Sequence, residues 1–168
     1  DDVYEHSNEG NNWGSGGPVS VSLGLTPDLL AERVALLSAA PVMRGRSISA
    51  TWTIANIGEA AATDAWSDRL QLRRLSDSAL FTLGTYARPA GLAIGARYTR
   101  TLSIKVPSAV PADDYEVRVI ADSGNTVVEN GREANNAAIA TATLTVLNAL
   151  SGETDLTIAQ PAAAGAFG

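Results

Sequence analysis

One run of the chain gathers hard oxygen ligands. Asp122, Asn125, Glu129, Glu133, Asn135 and Asn136 offer carboxylate and amide oxygens, with no histidine or cysteine among them. Calcium takes about 6–8 such oxygens in loose geometry. Asp122, Asn125, Glu129 and Glu133 are therefore the candidate metal ligands, and calcium is the candidate ion. The spacing is not that of an EF-hand loop. The same residue types also shape loops without any ion. Asp and Asn bend the chain through their own side-chain hydrogen bonds, and Glu serves as solvated charge. Both readings stand on the sequence.

Other chemistry has less support. His6 is the sole histidine, and a Ser-His-Asp triad would have to be built from it, because a positioned base is what activates serine. Asp113-Asp114 precedes a strand-like run and reads as a turn-forming pair rather than an acid/base pair. Trp52 is in register with apolar neighbours and is expected in the core. Trp66, beside Asp68-Arg69, is expected to pack; stacking on a sugar is the other use of a surface tryptophan. Asn130-Gly131-Arg132 reads as a turn in which glycine supplies positive φ. The expectation is a protein that is not an enzyme.

The elements around these residues recur. Val3-Tyr4-Glu5-His6-Ser7-Asn8-Glu9-Gly10-Asn11-Asn12 and Val127-Val128-Glu129-Asn130-Gly131-Arg132-Glu133-Ala134-Asn135-Asn136 both fit Val-x-Glu-x-x-x-Glu-x-Asn-Asn. Each copy is followed by an alternating Ser/Thr strand and then Asp-Leu: Val19 to Leu23 leads to Asp28-Leu29, and Thr143 to Val146 leads to Asp155-Leu156. Self-similarity at this spacing marks an array. Residues 1–25 are expected to end a preceding repeat, 26–148 to be one complete repeat, and 149–168 to hold a linker and the start of a third. Val19 to Leu23 is expected to be the last strand of the preceding sandwich.

Within the complete repeat the dominant period is two. Ile48, Ala50, Trp52 and Ile54 alternate with Ser49, Thr51 and Thr53. Leu102 and Ile104, then Tyr115, Val117 and Val119, then Leu144 and Val146 behave alike. Such runs put one face in a core and one in water. Leu70 and Leu72 mark a further strand, and Phe81 to Tyr86 a weaker one. Only Asp28 to Ala40 admits a helix, and the recurrence of Asp-Leu before Thr157-Ile158 favours a first strand there. About seven short strands with regular turns imply an all-β, immunoglobulin-like sandwich. Tyr115, after a proline-rich corner, matches the corner tyrosine of such folds. With no cysteine, Trp52 and aliphatic residues must fill the place of the usual inter-sheet disulfide.

Composition narrows the partners. The net charge is −6 and there is no basic cluster, which disfavours nucleic acid, whose binding rests on phosphate neutralisation. No run of about 20 apolar residues is available to span a bilayer.

Several motifs in order then spell a pattern: Pro27-Asp28-Leu29, Trp52-Thr53-Ile54-Ala55-Asn56-Ile57-Gly58, Trp66-Ser67-Asp68-Arg69-Leu70, Tyr115 to Asp122, and Asn125 to Asn136. This resembles the CARDB family, the cell-adhesion-related domain of bacteria. Ala112-Asp113 stands where that family often has glycine before its tyrosine. The resemblance implies an immunoglobulin-like sandwich used in tandem on secreted or cell-surface proteins, among them RTX-type adhesins. The expected role is a non-enzymatic extender of a bacterial surface or biofilm adhesin, stiffened by calcium. Its partners would be neighbouring repeats of the same chain, not nucleic acid, membrane or a host ligand. The alternative is an accessory module that binds carbohydrate or protein through a groove with exposed Trp66 and Tyr86.

Overall fold

A computed structural model describes residue 14 and residues 16–20, 24–37, 41–89 and 91–149. The strands are β1 (Leu29–Leu36), β2 (Val42–Met43), β3 (Ser47–Asn56), β4 (Trp66–Arg74), β5 (Leu80–Arg88), β6 (Arg97–Lys105), β7 (Asp113–Ile120) and β8 (Ala137–Leu147). They form a three-stranded sheet, β1-β3-β6, facing a five-stranded sheet, β2-β8-β7-β4-β5. This is the expected all-β sandwich. The strand that periodicity does not reveal is β2, whose two residues pair in parallel with Val146 and Leu147 of β8. Two residues are too few to show an alternation.

The Asp28 to Ala40 stretch yields a strand, β1, antiparallel to β3. Among the described residues no helix is long and apolar enough to cross a membrane. Of the run expected to end a preceding sandwich, Val19 and Ser20 belong to no strand and are exposed. Val21 to Leu23 lie outside the described residues, as do Val3 to Asn12 and the Asp155-Leu156 echo.

The core follows the alternation. Ile48, Ala50, Trp52 and Ile54 of β3 face Tyr115, Val117 and Val119 of β7 and Leu144 and Val146 of β8, all buried. Leu102 departs from the expected burial and is only half-buried. It lies on β6, an edge of the smaller sheet among the described residues, where one flank has no described strand beside it. Tyr115 donates its hydroxyl hydrogen to the Pro111 carbonyl oxygen at 2.8 Å, the tie expected of a corner tyrosine.

The middle of the sandwich holds a polar contact instead of a disulfide. Asp68 of β4 is fully buried. It accepts hydrogen bonds from Trp52 Nε1 at 3.0 Å, from Trp66 Nε1 at 3.2 Å, and from the Tyr98 hydroxyl. Trp52 and Tyr98 belong to one sheet and Asp68 to the other. A buried carboxylate is stable only when its oxygens are satisfied, and here three donors do so while joining the sheets. Burial, followed by the Asp68 charge, raises the Tyr98 hydroxyl pKa well above the usual phenol range.

Candidate functional site

The segment between β7 and β8 is folded by its own polar side chains. Asp122 adopts φ 40°. Its Oδ1 accepts from the Thr126 amide at 3.0 Å and the Thr126 hydroxyl at 2.8 Å, and its Oδ2 from the Val127 amide at 2.7 Å. Val127 is buried and anchors the loop. Asn130 and Gly131 follow, at φ 52° and 84°, and the Arg132 amide bonds back to the Glu129 carbonyl at 3.3 Å. Two successive positive φ values within such a turn are the type I′ pattern, so the Asn-Gly pair is the turn expected. A single 3-10 turn, Glu133–Asn135, returns the chain to β8. There the Ala121 amide donates to the Asn136 carbonyl at 2.7 Å.

This loop closes over the segment that leads into β1. Glu129 is fully buried, and its Oε1 accepts from the Leu29 amide at 3.1 Å. Asn135 Nδ2 donates to Asp28 Oδ1 at 2.7 Å. Arg132 Nε lies 3.9 Å from Asp28 Oδ2, and Asn130 Nδ2 donates to the Gly24 carbonyl at 3.4 Å. From the other side, Asn56 Oδ1 accepts from the amides of Asp28 and Gly58 at 3.2 and 3.1 Å. Its Nδ2 donates to the carbonyls of Ala60 and Leu92 at 2.8 and 3.0 Å. Gly58 is required here: a Cβ on it would stand 2.5 Å from backbone atoms of Thr26, Pro27 and Asp28.

The cluster is crowded with acceptors. Glu129 Oε2, Asn135 Oδ1 and Asn136 Oδ1 are buried without a hydrogen-bond partner. Asn136 Nδ2 donates to Glu133 Oε2 at 2.7 Å. The Asn125 amide, with its nitrogen toward Glu133, donates to both carboxylate oxygens at 2.8 and 3.0 Å. Burial, then the Glu133 charge, pushes the Glu129 carboxyl up to about 7, against the opposing pulls of the Leu29 amide and of the neighbouring Asn136 side chain. Burial also raises Glu133, with the Asp122 and Asp28 charges adding to it.

The four candidate ligands thus share one pole but not one role. Glu129 and Glu133 lie together at the cluster. Asp122 has both oxygens engaged in folding the loop, and Asn125 is exposed and turned to Glu133. Among the described residues no three His, Cys, Asp or Glu side chains are grouped to hold one metal. An ion here would need two carboxylates completed by amide and backbone oxygens, a donor mixture that suits calcium. Asp28 was not among the expected ligands. Its recurrence with leucine in the sequence echo is the signal that it belongs to the site.

Other candidates resolve as structure. Asp113 Oδ2 accepts from the Ser76 hydroxyl at 2.7 Å and its Oδ1 from the Asp114 amide at 2.8 Å. Asp114 Oδ1 accepts from the Thr145 hydroxyl at 2.6 Å. These carboxylates shape the start of β7. Trp66 lines a concavity of about 510 Å³ together with Arg69, Arg88 and Ser123. Yet Trp66 is only 3% exposed, and Arg88 lies 5.8 Å from its ring centroid. It presents no free face to a sugar, and Tyr86 is half-buried against Trp52. His6 lies outside the described residues.

A comparison with the curated proteins found no match. Among solved structures, the chain is similar to the CARDB domain of a Pyrococcus furiosus protein crystallised in complex with di-metal ions. That likeness has 19% identity and a TM-score of 0.50, over 76% of this chain and 100% of that one. It is also similar to residues 272–376 of a Methanosarcina acetivorans protein described as a cell surface protein. There the identity is 21% and the TM-score 0.47, over 73% of this chain and 93% of that one. The first likeness shows a shared fold. The CARDB family model matches residues 26–140, most of the sandwich and the whole polar loop. The chain belongs to the CARDB family.

Proposed function

We propose that this domain is a non-enzymatic extender module of a bacterial cell-surface or biofilm adhesin, working in tandem with neighbouring repeats of the RTX-adhesin kind and stiffened by calcium. The observation that carries the reading is where the chain enters and leaves the sandwich. Leu29 opens β1 beside Glu129, at the pole formed by the β7–β8 loop. β8 begins at the same pole, where Ala137 pairs with Ile120, and ends at the other, where Val146 pairs with Asp113. Its eleven residues span roughly 35 Å at the rise of a strand. Successive copies would therefore join end to end, and each would add its long axis to the reach of the whole.

The contacts of the β7–β8 loop with residues 24–29 give the junction its stiffness. They tie the incoming segment to the body of the domain at Gly24, Asp28 and Leu29. The same Glu and Asn pattern at Glu5, Glu9, Asn11 and Asn12 supports the use of this device in the preceding repeat. Small-angle scattering from chains carrying two and three copies tests the reading. The maximum dimension should grow by nearly one sandwich length per copy. A compact, side-by-side assembly would overturn it.

A further inference from the structure

We propose that Glu129, Glu133, Asn135 and Asn136 form an oxygen site for one hard divalent cation, calcium by preference, at the turn into β1. This deepens the calcium part of the reading above by naming its ligands. Among the described residues, three buried oxygens in this cluster accept no well-formed hydrogen bond: Glu129 Oε2, Asn135 Oδ1 and Asn136 Oδ1. Glu129 and Asn136 are 0% and 4% exposed, so bulk water does not satisfy them. Each of the three residues has its other polar atom fixed: Glu129 Oε1 on the Leu29 amide, Asn135 Nδ2 on Asp28, Asn136 Nδ2 on Glu133. The free oxygens therefore cannot be satisfied by turning the side chain over without breaking an existing bond. A buried acceptor left without a donor costs about 1–3 kcal/mol, and more when it is charged. A cation removes that cost at several oxygens together.

The chemistry of the donors selects the ion. No nitrogen or sulfur ligand is present in the cluster, which disfavours zinc. Two carboxylates, Glu129 and Glu133, balance a double charge. The nearby guanidinium does not supply that charge, because Arg132 is placed toward Asp28 at 3.9 Å. Amide and carbonyl oxygens at irregular angles suit calcium, whereas magnesium demands near-octahedral geometry and keeps its waters. Asp122 is not a ligand, since its oxygens hold the backbone amides of Thr126 and Val127, which cannot turn away; Glu133 is held only by the side-chain amides of Asn125 and Asn136, and its oxygens keep lone pairs for an ion. Because Glu129 also holds the Leu29 amide, an ion on it would fasten the loop to the segment entering β1.

Titration calorimetry with calcium chloride, with melting curves in calcium and in chelator, tests the site on this chain. The expected result is one calcium per chain and a melting temperature several degrees higher in millimolar calcium. Glu129→Gln and Glu133→Gln should each weaken binding at least tenfold. Both substitutions keep shape and relieve charge, so folding is retained. Glu116→Gln, which removes a carboxylate paired with Arg73, should bind as the parent does. The absence of binding heat together with an unchanged melting temperature would overturn the proposal, as would undiminished binding in the Glu129→Gln/Glu133→Gln double variant. Magnesium binding as tight as calcium would overturn the choice of ion. A negative result here leaves the end-to-end geometry and its scattering test standing.

Discussion

Trp52 and Asp68 join the two sheets through one hydrogen bond, Nε1 to Oδ2, at 3.0 Å with both residues fully buried. In many immunoglobulin-like domains a disulfide occupies this region. Here a tryptophan fills the volume and a carboxylate receives its N–H, so the same residue supplies apolar packing and a polar link.

Removing the ring should be severe. Trp52→Ala loses transfer energy, opens a cavity and takes one donor from Asp68, costing roughly 3–5 kcal/mol. Trp52→Phe keeps most of the volume but leaves Asp68 with two donors, at a cost of about 1–3 kcal/mol. Urea unfolding of both variants checks the order. A Trp52→Phe variant as stable as the parent would mean that the hydrogen bond contributes nothing beyond volume.

Much of this architecture was legible because strands with one dry face write a period of two. Ile48 to Ile54 and Tyr115 to Val119 declare their inward faces directly. Asp68 was not legible. It lies in register with Trp66, Leu70 and Leu72, all buried, but a carboxylate at an inward position breaks the apolar alternation. Its partners Trp52 and Tyr98 are distant in sequence, so only the tertiary fold brings the donors to it. The site was half-legible for the same reason. Glu129 and Glu133 stand in one run with the residues that fold the loop, and residue type does not separate ligand-like oxygens from loop-forming ones. Asp122 and Glu129 are told apart by their hydrogen bonds alone.

The corner tyrosine allows a smaller test. Tyr115→Phe deletes only the hydroxyl that reaches the Pro111 carbonyl. The ring stays packed against Phe81, at 5.8 Å between centroids. The expected loss is about 0.5–1.5 kcal/mol, read as a lower urea midpoint with an unchanged slope.

Gly58 tests the docking of the incoming segment. An alanine Cβ would meet the backbone of Thr26, Pro27 and Asp28 at 2.5 Å, and backbone cannot move aside as a flexible side chain can. Gly58→Ala should cost about 1–3 kcal/mol by overpacking. It should also speed hydrogen exchange at the Ile57 and Glu59 amides, which bond to Asp28 and Thr26. Unaltered exchange there would show that the segment tolerates displacement.

The cluster around Glu129 also responds to acid. In chelator, Glu129 faces the charges of Glu133 and Asp28, with Arg132 beside Asp28. Burial and the Glu133 charge raise its carboxyl from 4.5 to about 7, so the folded chain holds the proton more tightly than the unfolded chain does. Below the unfolded value both states are protonated and the contribution to stability is fully present. Between the two values the unfolded chain ionises while the fold keeps its proton, and stability falls as pH rises. Above the folded value the loss is complete. Glu133, shifted in the same direction, adds to the trend. Urea midpoints measured in chelator should therefore decline from about pH 5 to about pH 8. Glu129→Gln, which cannot ionise, should flatten most of that decline. A parent protein whose midpoint rises across the window would show that Glu129 is ionised and satisfied in the fold.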